Sequence, residues 1–182
     1  MLQKCTIFKI VRVFFDDPEK EFSLAEIKRR TNISATSIIL HLRNLIKEQI
    51  VYKKNKKFGK RQYPFYKANF ENKRYKNYKV ISILENLENS GLVEYIKDNC
   101  IPNCIVLFGS ASKGEDTKES DIDLYVEAKE KVLNLKNYEK LIGRKIQLHF
   151  KEDFNKYAKE LKNNIINGIV LVGYLEVFKW KK

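Results

Sequence analysis

The chain has 182 residues, 43% of them hydrophobic, with seven Gly, three Pro and a formal net charge of +13. That is the composition of a globular protein with room for one ordinary domain or two small ones. No apolar run reaches the length of a bilayer, and the opening "MLQKCTIFKIVRVFFDD" has neither an uninterrupted apolar stretch nor a small-residue cleavage site. A cytoplasmic protein with no membrane anchor is therefore expected. Cys5, Cys100 and Cys104 are an odd number with no CxxC and no His cluster nearby. They are expected as free thiols, not a disulfide framework or a structural zinc site. The charge is uneven: residues 1 to 78 hold 19 Lys and Arg against 7 Asp and Glu, and residues 79 to 182 hold 17 against 16. A basic surface confined to one half fits a phosphate backbone, although an acidic protein or an anionic membrane would attract it too.

In chain order, a first helix is expected near residues 3 to 15, where Ile7, Ile10, Val11, Phe14 and Phe15 share helical spacing before Asp16-Asp17-Pro18 ends it. Ser23 with Glu26 three residues on has the capping-box arrangement and opens a short second helix. After the tight turn "TNIS", Ser34 or Thr36 can cap a third helix with Ile38, Leu42, Leu45 and Ile46 as its buried stripe. Two helices joined by so short a turn form a helix-turn-helix. A β-hairpin follows: Val51 and Tyr52 lead in, Tyr63, Phe65 and Tyr66 lead out, and Lys53 to Arg61 make a cationic tip around Gly59.

These features resemble a winged helix-turn-helix domain over residues 1 to 70, of the kind found in prokaryotic transcription regulators. The resemblance implies double-stranded DNA as partner and a homodimer. The last helix would enter the major groove through Ser34, Thr36, Ser37, His41 and Arg43, with Lys53, Lys54, Lys56, Lys57, Lys60 and Arg61 on phosphates. Such domains also serve as docking or dimerisation modules, and the charged hairpin also reads as a solvated one. His41 can reach a base edge or a phosphate, or stand exposed without a role. Residues 71 to 79, basic and without periodicity, read as a linker, either a loop or one that runs directly into the next helix.

From Val80 to Asn99 the pattern is helical, with Gly91 a candidate break and Pro102 a stop. "CIVLF" (104 to 108) is an apolar strand that runs into Gly109-Ser110, and "IDLYV" (122 to 126) is a second strand. Alternation puts Asp121 and Asp123 on one face about 7 Å apart. Two acids so placed suit Mg²⁺, which takes one or two carboxylates plus substrate phosphates. Gly109 permits close backbone approach, Ser110 offers hydroxyl and amide to a phosphate, and Lys113 adds a cation.

"GSASKGEDTKESDIDLYV" resembles the signature of the DNA polymerase β-like nucleotidyltransferase superfamily, in particular the minimal nucleotidyltransferases related to antibiotic adenylyltransferases. Gly109, Ser110, Gly114, Ser120, Asp121, Asp123 and Leu124 match, with Lys113 where Arg is usual, and the resemblance extends over residues 80 to 182. It implies transfer of a nucleoside monophosphate from an NTP (ATP is the expected one) to an acceptor, with Mg²⁺ or Mn²⁺ at Asp121 and Asp123. Gly109, Ser110, Lys113 and Ser120 would contact the nucleotide. A protein acceptor such as a toxin-like partner is among the acceptors implied. The family's third carboxylate falls on the strand "RKIQLHF", where this chain has Gln147. His149, on the same face, reads as ligand, base or structural residue, and Glu127, Glu152 and Asp153 are further candidates.

The chain is thus expected to be α+β: an N-terminal winged helix-turn-helix, then a nucleotidyltransferase-fold mixed β-sheet with flanking helices, made by a helix near Leu133 to Ile142, the 144 to 150 strand and a strand "IVLV" after Gly168. Two functions follow from these readings. One is a nucleotidyltransferase with an attached DNA-binding domain. The other is a nucleotide sensor of the same fold, weak or inactive in catalysis, acting as a transcription regulator or antitoxin.

Overall fold

The computed structural model describes residues 5 to 152 and 154 to 178. Asp153, Trp180 and the first residues of the expected N-terminal helix lie outside them. The chain divides between Lys79 and Val80 into two compact units. The first carries the whole net charge, 20 Lys and Arg against 7 Asp and Glu, while the second has 16 of each.

The first unit runs α1 (Thr6–Asp16), β1 (Glu21–Ser23), α2 (Leu24–Thr31), α3 (Ala35–Lys47), β2 (Val51–Phe58) and β3 (Arg61–Ala68). The capping box is formed: the Glu26 amide donates to Ser23 Oγ at 3.2 Å, and the Ser23 amide donates to Glu26 Oε2 at 2.9 Å. Ser34 caps α3, its hydroxyl accepting from the Ser37 amide at 3.3 Å. Ile38, Leu42 and Leu45 of α3 are buried against Ile10 and Phe14 of α1, Ile27 of α2, and Val51 and Tyr66 of the hairpin.

The sheet has the order β1-β3-β2, all antiparallel. Strand β1 is absent from the sequence reading because three residues are too few to show alternation. Its Phe22 is wholly buried all the same. The hairpin is longer than expected. Lys53 to Phe58 pair with Arg61 to Tyr66, so the turn is only Gly59-Lys60, with Gly59 at φ +60.

The stretch expected as a linker is helical from Lys73, as the opening of α4 (Lys73–Ser90). Asn72 Oδ1 accepts from the amides of Arg74 and Tyr75. Tyr75 is fully buried, and its hydroxyl donates to Phe14 O at 2.8 Å. A cap and one anchor thus fix a segment whose surface is otherwise polar.

The second unit continues with α5 (Leu92–Cys100), separated from α4 by Gly91 at φ +73, then β4 (Cys104–Phe108), α6 (Gly109–Lys113) and β5 (Ile122–Val126). After them come α7 (Lys136–Ile142), β6 (Ile146–Phe150), a 3₁₀ turn (Phe154–Lys156), α8 (Lys159–Ile166) and β7 (Ile169–Gly173). The sheet is mixed, in the order β6-β5-β4-β7, with only β5 and β6 parallel. One face packs Ile105, Leu107, Leu124 and Val126 on Leu87, Leu92 and Ile96 of α4 and α5. The other packs Val106, Phe108 and Tyr125 on Phe154 and Ile165. Strand β4 is covered on both faces, which is why it reads as an unbroken apolar run. No described helix is long and apolar enough to cross a membrane.

Ser23→Ala removes the acceptor for the Glu26 amide and is expected to lower stability by about 1 kcal/mol at neutral pH, measured by urea denaturation. The Ser23 amide, the largest influence on Glu26, holds its carboxyl down at about 2 from an ordinary 4.5. A lowered acid stabilises the fold above its ordinary pKa and loses that contribution as pH falls. The stability difference between wild type and Glu26→Gln should therefore be present above pH 4.5 and fade toward pH 2.

Candidate functional site

The site is built where β4 ends. Phe108 lies opposite Asp123 in the antiparallel β4–β5 ladder, so the backbone leaving β4 must pass beside the Asp123 carboxylate. Gly109 makes that passage at φ +75, and a Cβ there would sit 2.7 Å from Asp123 Oδ2. No other residue fits without displacing the carboxylate. Helix α6 begins at this glycine, so the amides of Gly109 and Ser110 belong to a first helical turn, which has no intrahelical acceptor.

The parallel β5–β6 register pairs Asp123 with Gln147 and Tyr125 with His149, which brings Gln147 and His149 to the face of the two acids. Gln147 Nε2 donates to Asp121 Oδ2 at 2.6 Å. His149 Nε2 lies 3.2 Å from Asp123 Oδ1, and its ring meets the edge of Phe108 at 5.0 Å. Asp123 keeps 27% of its side chain exposed, so the pair opens to solvent.

Asp121 stands one residue before the strand, at the end of a loop that is itself held down. Arg144, just ahead of β6, donates from Nη1 to Asp116 Oδ2 at 2.7 Å and from Nε to Ser120 O at 2.5 Å. Asp116 is fully buried. Neither residue stands out in sequence, because an Arg and an Asp 28 positions apart have no local signature. Ser120 Oγ accepts from the Thr117 amide at 2.8 Å and lies 3.1 Å from Thr117 Oγ1, which closes the turn. Lys113 is exposed in the last turn of α6.

Of the candidate acids, Glu127 and Glu152 follow the C-terminal ends of β5 and β6, whereas Asp121 and Asp123 are at the start of β5. Four strand residues place Glu127 about 13 Å from Asp123. It is buried there, accepting from the Phe154 amide. Burial and the nearby Glu127 carboxylate push the Tyr125 hydroxyl and the Cys104 thiol up, the latter to about 11, so neither is a nucleophile at neutral pH.

Among the described residues no three His, Cys, Asp or Glu side chains are grouped as a metal site. The donors present, Asp121 and Asp123 with the Gln147 amide oxygen, fit one hard divalent cation that also takes phosphate oxygens. They do not supply the third carboxylate of a second ion.

In the first unit, helical spacing splits the α3 candidates. Thr36 and Arg43 are exposed along one ridge with Leu40, which is 57% exposed and absent from the sequence reading. Ser37 and His41 are half-buried on the flank, and Ser34 uses its hydroxyl as the cap. On the hairpin all six basic candidates are exposed. Lys54 and Lys56, however, reach Glu21 Oε1 at 3.3 Å and Oε2 at 2.6 Å.

Residues 90 to 175 match the family described as Polymerase beta, Nucleotidyltransferase. A protein of Methanocaldococcus jannaschii named "Putative protein adenylyltransferase" is 40% identical over 74 residues, which cover 36% of this chain and 74% of that protein. The span matched by the family holds the strand, glycine turn and acid-bearing strand described above. On these two similarities, the chain belongs to the polymerase β nucleotidyltransferase family.

Proposed function

We propose that residues 80 to 182 transfer a nucleoside monophosphate, AMP from ATP, to a hydroxyl of a protein acceptor. The observation that carries the reading is the close approach of Gly109 to Asp123, which sets the first backbone amides of α6 beside two carboxylates on one face. The adenylyl group and the protein acceptor are taken from the name of the Methanocaldococcus relative. In the reaction the acceptor oxygen bonds to the α-phosphorus and pyrophosphate leaves.

Asp121 and Asp123 would hold Mg²⁺ or Mn²⁺, which supplies charge neutralisation for the phosphates when bound. The chain's own residues do the rest. The amides of Gly109 and Ser110, the Ser110 hydroxyl and Lys113 orient the outer phosphates. Arg144 fixes the loop that presents Asp121. Gln147 orients Asp121 through its amide but cannot take the acceptor's proton. That neutral residue favours the second reading, a nucleotide sensor of low turnover.

We assign the first unit to binding double-stranded DNA as a winged helix-turn-helix. The supports are the α1-β1-α2-α3-β2-β3 order, the exposed ridge of α3, and a net charge confined to this unit. Division of the chain at residue 79 agrees with a separate role for each unit.

The central test is nucleotide binding. Asp121→Asn with Asp123→Asn should abolish Mg²⁺-dependent ATP binding in calorimetry while circular dichroism stays that of wild type, and unchanged affinity would overturn the assignment. Transfer itself is read with labelled ATP and cell extract, looking for a labelled protein. Gln147→Asp completes a set of three carboxylates and should raise the single-turnover rate about tenfold or more, with His149→Ala near wild type. A flat Gln147→Asp beside an inactive His149→Ala would instead place the proton on the imidazole.

For the first unit, Lys53, Lys57, Lys60 and Arg61 are exposed cations of the hairpin outside the Glu21 bridges, so their replacement by Ala should weaken duplex binding. Each cation withdrawn from a phosphate flattens the plot of log affinity against log salt by about 0.9. A slope equal to wild type would remove the hairpin from the interface.

A further inference from the structure

The hairpin has a feature that phosphate binding does not use. On one face its pairing register sets an aromatic opposite a cation four times in succession: Phe58 with Arg61, Tyr63 with Lys56, Phe65 with Lys54, and Tyr52 with Lys67. Directly opposed residues share a face of the ladder, so the hairpin interleaves rings and positive charges. The rings are close, Phe58 lying 6.0 Å from Tyr63 and 6.2 Å from Phe65 between centroids. Two of these three are in the open, Phe58 57% and Tyr63 43% exposed, while Phe65 is half-buried behind them. Together with Leu24, Ala35 and Pro64 they line a groove of about 670 Å³.

We infer that this surface binds single-stranded nucleic acid, with unpaired bases stacked on Phe58 and Tyr63, Phe65 supporting Phe58 from behind, and the backbone running over the interleaved cations. Duplex DNA has no use for the rings, because its base faces are already stacked on one another. An apolar peptide has no use for the cations, since covering them would strip their water without a counter-charge. An unpaired strand offers both a π-face for each ring and a phosphate for each cation. Lys56 lies 4.7 Å from the Phe65 centroid, so that ring's face is already covered by a cation and the exposed rings of the three are Phe58 and Tyr63.

Glu21 is the acid that meets these cations, paired with Lys54 and Lys56. It cancels part of the charge at the Phe65 end and leaves Arg61, beside Phe58, as the cation that a phosphate meets first. Single-strand binding of this kind is separate from the transfer reaction; it shares Arg61 with the duplex reading and differs from it in using the rings.

The test uses the full chain and a labelled single strand of about 12 nucleotides beside the same sequence as a duplex, followed by fluorescence anisotropy. Phe58→Ala with Tyr63→Ala should weaken single-strand binding about tenfold or more and leave duplex binding as in wild type. Tyr63→Phe, which keeps the ring, should bind as wild type. Wild type that binds the duplex but not the single strand overturns the inference and leaves the duplex reading intact; the reverse supports it and ends the duplex reading. Unchanged single-strand affinity in the double variant overturns it. So does loss of a dimer in sedimentation on the same substitution, which would give the groove to a second copy.

Discussion

A side chain at position 109 would have its Cβ 2.7 Å from Asp123 Oδ2, and the rest of the second unit's site follows from that close approach. It arises because β4 and β5 are antiparallel neighbours with Phe108 facing Asp123, so the turn out of one strand has to clear the acid on the other. Glycine at φ +75 is the solution that leaves both in place. The same register puts the first amides of α6 beside the acid face. A polar ligand that met the acids through a cation would meet those amides too. The parallel partner β6 then closes the third side with Gln147 and His149.

The site also depends on an ion pair that no motif announces. Between α6 and β5 the chain crosses a loop, and Arg144 ties that loop at Asp116 and at Ser120 O. Asp116 is fully buried, so the pair is not a surface decoration worth a few tenths of a kcal/mol. Removing Arg144 takes the guanidinium away from a buried carboxylate, and breaking a buried pair in this way costs about 3–5 kcal/mol. The consequence for the site is orientation. Ser120 is adjacent to Asp121, so fixing its carbonyl sets where the first acid starts its strand.

How far each element is legible in the sequence follows the range over which its signal acts. Strand β4, strand β5, the capping box at Ser23 and the break at Gly91 are local, set by burial, alternation or a cap within a few residues. The shared face of Asp121 and Asp123, and that of Gln147 and His149, follow from alternation along each strand, whereas the β5–β6 register that brings the two faces together needs both strands at once. Strand β1 escapes because three residues carry no period, and the start of α4 escapes because its apolar anchor is Tyr75, 61 positions from the Phe14 carbonyl it bonds. The Arg144–Asp116 pair and the Glu21 bridges to Lys54 and Lys56 are products of the fold and have no sequence-local cause. The cationic hairpin is legible as charge. Its aromatic and cationic register is not, since it needs both strands at once.

On the proposed reading the two units would meet phosphate by different physics. The second has no net charge, so a nucleotide there would be held by short-range geometry: amides, one hydroxyl, one lysine, and a cation between two carboxylates. Interactions of that kind are little affected by the salt screening that weakens attraction beyond about 8 Å at physiological ionic strength. The first unit has all of the net charge on a small body, and its attraction for a polyanion extends into solvent and falls steeply as salt rises. Rising salt should thus strip nucleic acid from the chain well before it impairs nucleotide binding. The two proposed bindings would then separate by ionic strength alone, without touching a residue of either site.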